Sequence, residues 1–301
     1  MDVPRVVPDE QRKPLWLYPN LLSLDAPLVA VAWLYIFAKT WRVQFLPLAA
    51  YVSLGLVVWM IYVADRLMDA SMASGKLESR HEFHRKHQGK FRLAAKIAAV
   101  VALFLVTFPL KISLAGFVFT TGLPVSIYGY ATIGAVLVVG FFALSLGVTQ
   151  GPDEIPHAKN VLAGVAFAYG TAMIAFTFTS FEMRELLFSQ ELICFAVLCI
   201  LNISAIDLWE HAHRSSDPEI KAGDELALTL PLTLLGAAAL VFALKDQDLN
   251  NRPFFYAILT GSALLHILNR ARHRFNMDAL RVLADVALLA PFLVFVVSSR
   301  V

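Results

Sequence analysis

Charge is what this sequence has least of. Only 16% of its 301 residues are Asp, Glu, Lys or Arg, against about 25% in a typical soluble domain. The two signs nearly cancel, at a formal net charge of +2. That excludes both a basic nucleic-acid-binding domain and an acidic disordered chain. Cysteine is scarce: Cys194 and Cys199 lie together in an apolar run. They read as small core residues rather than a disulfide or a metal pair, and a disulfide-built secreted scaffold is excluded. There is no low-complexity tract. The first 20 residues are polar and proline-rich. They lack the cationic start, apolar core and small-residue cleavage site of a signal peptide, so the first apolar run is expected to remain as a helix.

Hydrophobic residues fill the space that charge leaves, at 58% of the chain, with 22 Phe. The class expected is an all-α, polytopic integral membrane protein forming a single transmembrane domain over 1–301. A bilayer crossing needs about 20 apolar residues. Apolar runs of suitable length fall at 21–40, 45–64, 93–128, 131–149, 159–180, 186–206, 226–244, 254–269 and 280–298, which predicts nine transmembrane helices around a central cavity. The third run is too long for one simple span and is interrupted by Pro109, Lys111, Gly122 and Pro124. It is read as one span over 93–110 followed by an apolar, partly interfacial connection on the far face; two short spans are the alternative. With nine spans and the N-terminus inside, 17 of the 25 Lys and Arg fall on the inner side. The positive-inside rule then puts the N-terminus in the cytoplasm and the C-terminus opposite. The location expected is a bacterial inner membrane.

The longest polar segments, 65–92 and 207–225, both begin with acidic residues at the end of a span. Asp65 and Asp69 are one turn apart on a helix, so their carboxylates share a face and repel each other. Carboxylates at the hydrocarbon edge are costly, and a divalent cation is a natural compensation. Mg²⁺ suits hard oxygen ligands and commonly takes one or two carboxylates plus substrate phosphates. The bland alternative is that the pair only marks where the helix leaves the membrane, with Arg66 pairing one of them. The second cluster is Asp207, Glu210 and His211, followed by Asp217, Glu219, Asp224 and Glu225. Two spans, four apart, thus end on one side with an acidic one-turn group. This weak repeat suggests two halves, roughly 21–149 and 159–298, meeting around a cavity. Facing clusters could hold Mg²⁺ on either side of a diphosphate.

These residues resemble the UbiA-type intramembrane prenyltransferases. That family has nine helices and two Asp-rich motifs after helices two and six, the first commonly N-D-x-x-D-x-x-x-D. Ala64-Asp65-Arg66-Leu67-Met68-Asp69 is similar to the second half of that motif, Leu24-Asp25-Ala26-Pro27 to the family's L-D-x-P stretch, and Asn160-Val161-Leu162-Ala163-Gly164 to its approach to helix five. The resemblance implies transfer of a polyprenyl group from a polyprenyl diphosphate to a small lipophilic, aromatic acceptor. It implies Asp65, Asp69, Asp207 and Glu210 as catalytic and Mg²⁺-binding residues. Arg66, Lys76, Arg80, Lys159 and His211 are the polar residues nearby that are candidates to face the substrate. The chain departs from the pattern at Ile61 and Tyr62, where the family has Asn-Asp, at Ser23 for an Arg, and at His211 for an Asp. The aromatic-proline-basic stretch before helix five is missing, leaving His157 and Lys159. A catalytically degenerate lipid-binding or transporter-like protein of the same fold is the alternative.

The remaining polar residues read more plainly. In the 65–92 loop, Arg80 to His87 forms a basic, His-containing stretch suited to a cytosolic loop touching anionic lipid; Lys76 and Arg80 of the same loop are the donors considered for diphosphate oxygens, with a solvated loop as the alternative. Asp25 reads as a carboxylate at a helix N-terminus. Asn202 could bond between helices or touch a ligand.

Overall fold

The helices start where the sequence supplies partners for the backbone N–H groups that a first turn leaves unpaired. The computed structural model describes residues 14–72, 79–114, 117–147, 157–246 and 251–299. Its helices are α1 (Tyr18–Leu21), α2 (Asp25–Thr40), α3 (Leu48–Met72), α4 (Ser79–Lys86), α5 (Gln88–Thr107), α6 (Ile127–Gly147), α7 (His157–Phe176), α8 (Met183–Leu187), α9 (Gln190–Arg214), α10 (Pro218–Lys245), α11 (Arg252–Ala271) and α12 (Met277–Ser298). Ser189 Oγ accepts from the Leu192 N–H to open α9. Asp217 Oδ1 accepts from Glu219, with Pro218 in the first turn of α10. Asn276 Oδ1 accepts from Ala279 at the start of α12.

Among the described residues the fold is all-α apart from one hairpin. Among the described residues, six helices, α3, α6, α7, α9, α10 and α12, are long and apolar enough to cross a membrane, and the helical stretch Leu15–Leu21 with α2 makes a seventh if the pair, bent by 79°, counts as one span. Helices also cover the predicted runs 93–110 and 254–269, as α5 and α11. Lys90, Arg92 and Lys96 in α5, and Arg252, His266 and Asn269 in α11, keep these two below that level of apolarity. Outward-facing side chains are largely aliphatic: Val136, Val139, Leu234 and Leu293 are all exposed. A belt of this kind suits lipid rather than water.

The 93–128 run resolves into one helix and a hairpin rather than two short spans. Helix α5 stops at Thr107, and strands β1 (Lys111–Leu114) and β2 (Phe117–Thr120) pair antiparallel, Lys111 opposite Thr120. Gly122 follows the hairpin and turns the chain back on the end of α5 with φ +78°, its N–H donating to the Leu105 carbonyl at 2.9 Å; an added Cβ would lie 2.8 Å from Pro109 Cα. Only glycine relieves both constraints.

The core is built around α2. Trp33 stacks on Phe195 of α9 with ring centroids 4.2 Å apart and meets Phe254 of α11 edge-on at 5.7 Å. Its indole N–H donates to the Leu288 carbonyl of α12 at 2.9 Å. Helices α7 and α9 pack closely because of Gly164, where a Cβ would sit 2.7 Å from the Ile200 backbone nitrogen. Backbone cannot yield as a side chain can. Gly164→Ala is therefore expected to destabilise the protein by about 1–3 kcal/mol, read as a lower melting temperature in detergent.

Candidate functional site

The close approach at Gly164 sets up a cavity one turn away. Helices α3 and α9 end, and α7 and α12 begin, on the same side of the molecule. Between them lies a cavity of about 270 Å³ with apolar walls that include Ile61, Val138, Phe141, Phe167 and Ile206. Its polar lining is Asp65, Asp69, Lys159, Asn160, Asn202, Asp207 and Asp285, with Tyr62. The volume is near the lower end of small-molecule sites, about 300–1,000 Å³.

Three of the four carboxylates expected from the sequence line this cavity. Asp65 and Asp69 come from adjacent turns of α3, and Asp207 from α9. Lys159, at the start of α7, places its ammonium 3.6 Å from Asp65 Oδ1 and 5.2 Å from the Phe141 ring centroid. The Asn160 amide donates to Asp207 Oδ2 at 2.7 Å, fixing that carboxylate across the α7–α9 crossing. Asp65 Oδ1 is buried and accepts no hydrogen bond from a described residue. Four carboxylates against one ammonium leave the described lining with an excess of negative charge.

Glu210 belongs elsewhere. At about 100° per residue it is turned roughly 60° from Asp207 and lies about 4.5 Å further along the axis. There it meets α12: Arg281 Nη2 donates to Glu210 Oε1 at 2.5 Å, with Arg281 only 3% exposed. His211 is likewise beyond the cavity, its Nδ1 2.8 Å from Asp224 Oδ2 of α10. Asp217 and Glu225 of the second cluster also serve the fold. Asp217 caps α10, and Glu225 pairs with Arg270 and Arg272 at 2.9 Å each. Trp209 donates to Asn269 at 2.9 Å, and Asn269 reaches the Glu225 carbonyl and Thr229, so this end of α9 is locked to α10 and α11.

Arg66 also leaves the site. One residue past Asp65, it turns about 100° away and is buried against α1 and α2. Its guanidinium donates to the Asn20 carbonyl and lies 3.8 Å from Asp25 Oδ2. Asp25 accepts from the Ala26 N–H at 3.0 Å and from Asn20 Nδ2 at 2.6 Å, as a carboxylate at a helix N-terminus should. Ser23, at φ +57°, places its hydroxyl 3.3 Å from His84 Nε2 of α4. His157 is exposed at the start of α7. Lys76 and the Arg80 side chain lie outside the described residues.

Sequence reasoning missed Asp285. The signal was available: it is the only carboxylate in the apolar run 280–298, and an ionisable residue inside a span is a functional pointer. The role of Asn160 had no local signal, because its partner is 47 residues away.

The donor set is all oxygen plus one ammonium, which suits Mg²⁺ and not a softer metal. Among the described residues, no three His, Cys, Asp or Glu come together as a protein-only metal site. Mg²⁺ commonly takes one or two carboxylates and completes its shell with substrate phosphates, so a site of that kind would need fewer protein ligands. Comparison of the chain with family models, with curated proteins and with solved structures finds no match.

Proposed function

We propose that the chain is a UbiA-like membrane prenyltransferase, acting with Mg²⁺ on a polyprenyl diphosphate and an aromatic, lipophilic acceptor. The observation that carries this reading is the convergence of Asp65, Asp69 and Asp207 on one cavity from helices far apart in sequence. The local motifs resembling that family support it. In this reading α5 and α11 complete nine spans, and the cavity mouth faces the cytoplasm with the N-terminus on that side and the C-terminus opposite.

Asp65, Asp69 and Asp207 would hold Mg²⁺, whose charge neutralises the departing diphosphate. Lys159 would donate to a phosphate oxygen, and Asn160 keeps Asp207 aimed at the mouth. The apolar walls would shield an allylic cation from capture by water. In the reaction served, the C1–O bond of the prenyl diphosphate breaks and its electron pair leaves with the diphosphate. A ring carbon of the acceptor bonds to C1, and the ring proton passes to the released diphosphate. Helices α3 and α6 both line the cavity, yet α3 packs mainly on α5 and α2 and α6 on α7. The seam between them offers the isoprenoid tail a route into lipid.

The test is binding of farnesyl diphosphate to purified protein with Mg²⁺ or EDTA, followed by transfer to an alkylphenol. Mg²⁺-dependent binding that Asp65→Ala abolishes, with transfer, supports the proposal. No Mg²⁺-dependent binding, or binding that survives Asp65→Ala, sinks it. A second reading, a lipid-binding or transporter-like protein of the same architecture, draws on the absence of a three-ligand cluster among the described residues. Binding of an isoprenoid without turnover favours it.

A further inference from the structure

Beneath the charged mouth the cavity continues inward. A second, smaller pocket of about 20 Å³ shares Tyr62, Phe167, Asn202, Ile203 and Asp285 with the first. Its remaining walls are Ala26, Val29, Cys199 and Leu288, from α2, α9 and α12. Asn202 lines both spaces, is 6% exposed, and its Oδ1 accepts no hydrogen bond from any described residue. A buried amide oxygen left unpaired costs about 1–3 kcal/mol, so its retention inside a span asks for a hydrogen-bond donor in the adjoining space. Asn202 is five residues before Asp207 on α9, about 7.5 Å deeper along the axis.

We propose that Asn202 is the recognition residue of an inner subsite that takes the ring hydroxyl of a phenolic ligand. Three features fit that occupant. The inner pocket holds about one water-sized group, which admits a hydroxyl and excludes a larger polar head. The orphaned atom is an acceptor, so the incoming group must donate. Phe167, which lines both spaces, and Phe141 supply aromatic walls for the ring above it. Naming this ligand the acceptor rests on the transferase reading: a nucleophile must lie about 3–3.5 Å from the reacting carbon, just inward of a diphosphate held at the mouth. The subsite itself requires only the geometry.

The test is competition binding on detergent-solubilised protein without prenyl diphosphate, using tritiated 4-hexylphenol as the probe. Unlabelled 4-hexylphenol should displace it at least about tenfold better than 4-hexylanisole, whose ether oxygen cannot donate; tenfold is about 1.4 kcal/mol. Asn202→Leu should abolish that preference while leaving the melting temperature unchanged or higher, since it removes an unpaired polar atom from the interior. Equal displacement by the anisole in the parent protein overturns the proposal. So does a preference that survives Asn202→Leu, or a melting temperature that falls with it, which would make Asn202 a packing residue. A phenol preference lost with Asn202→Leu, in protein that shows no Mg²⁺-dependent transfer, upholds the subsite and removes only the transferase reading.

Discussion

Asp207→Asn is expected to weaken Mg²⁺-dependent farnesyl diphosphate binding by on the order of a hundredfold, about 2.7 kcal/mol, with little change in stability. Glu210→Gln, three residues on, is expected to do the reverse. The two carboxylates stand in one short acidic stretch, but their partners differ in kind. Asp207 lines the cavity and receives one amide hydrogen bond from Asn160, which an Asn side chain can still accept. The substitution removes charge from the mouth and leaves the α7–α9 contact in place. Glu210 instead compensates Arg281, a guanidinium that is 3% exposed. Neutralising Glu210 weakens the pairing of that charge in the interior, and breaking a buried pair costs about 3–5 kcal/mol. Titration of farnesyl diphosphate, alongside thermal unfolding of both variants, separates the two. If both variants lose binding equally while remaining folded, the assignment of Glu210 to helix packing is wrong.

Arg66→Ala is expected to cost stability on the same scale as Glu210→Gln. Arg66, Asp25 and Asn20 form a buried knot joining α1, α2 and α3. Removing the guanidinium leaves the buried Asp25 carboxylate with hydrogen bonds from Ala26 and Asn20 but without its counter-charge, for about 3–5 kcal/mol, or a melting temperature lower by roughly 6–20 °C. The double variant Asp25→Asn with Arg66→Met should recover most of this, because the substituted amide still accepts from the Ala26 N–H while no charge remains to compensate. A single variant that melts like the parent would mean the pair contributes nothing. A double variant no better than the single would place the loss in packing of the Arg66 stem. Neither change should alter phosphate binding in protein that folds, since Arg66 faces away from the cavity.

Composition and the spacing of apolar runs were enough to establish a multi-helix membrane protein, because the cost of unpaired backbone in hydrocarbon leaves few other ways to arrange such a chain. They also located Asp65, Asp69, Asp207 and Lys159, since charge at the end of an apolar run is visible without coordinates. What one-dimensional spacing could not decide was direction. Neighbouring positions on a helix point tens of degrees apart, so Arg66 and Glu210 look like companions of Asp65 and Asp207 in sequence yet serve different interfaces. The partner that claims each one, Asp25 or Arg281, is known only when the helices are packed. Asp285 and Asn160 entered the site by the same route, from helices whose approach is set by Gly164 against Ile200 and by Trp33 against Phe195. The order of residues thus accounts for the helices and for where charge sits along them, both local properties of the chain. Which of those charges share a cavity, and which hold helices together, follows from the crossing geometry of segments far apart in sequence, and that exists only in the packed molecule.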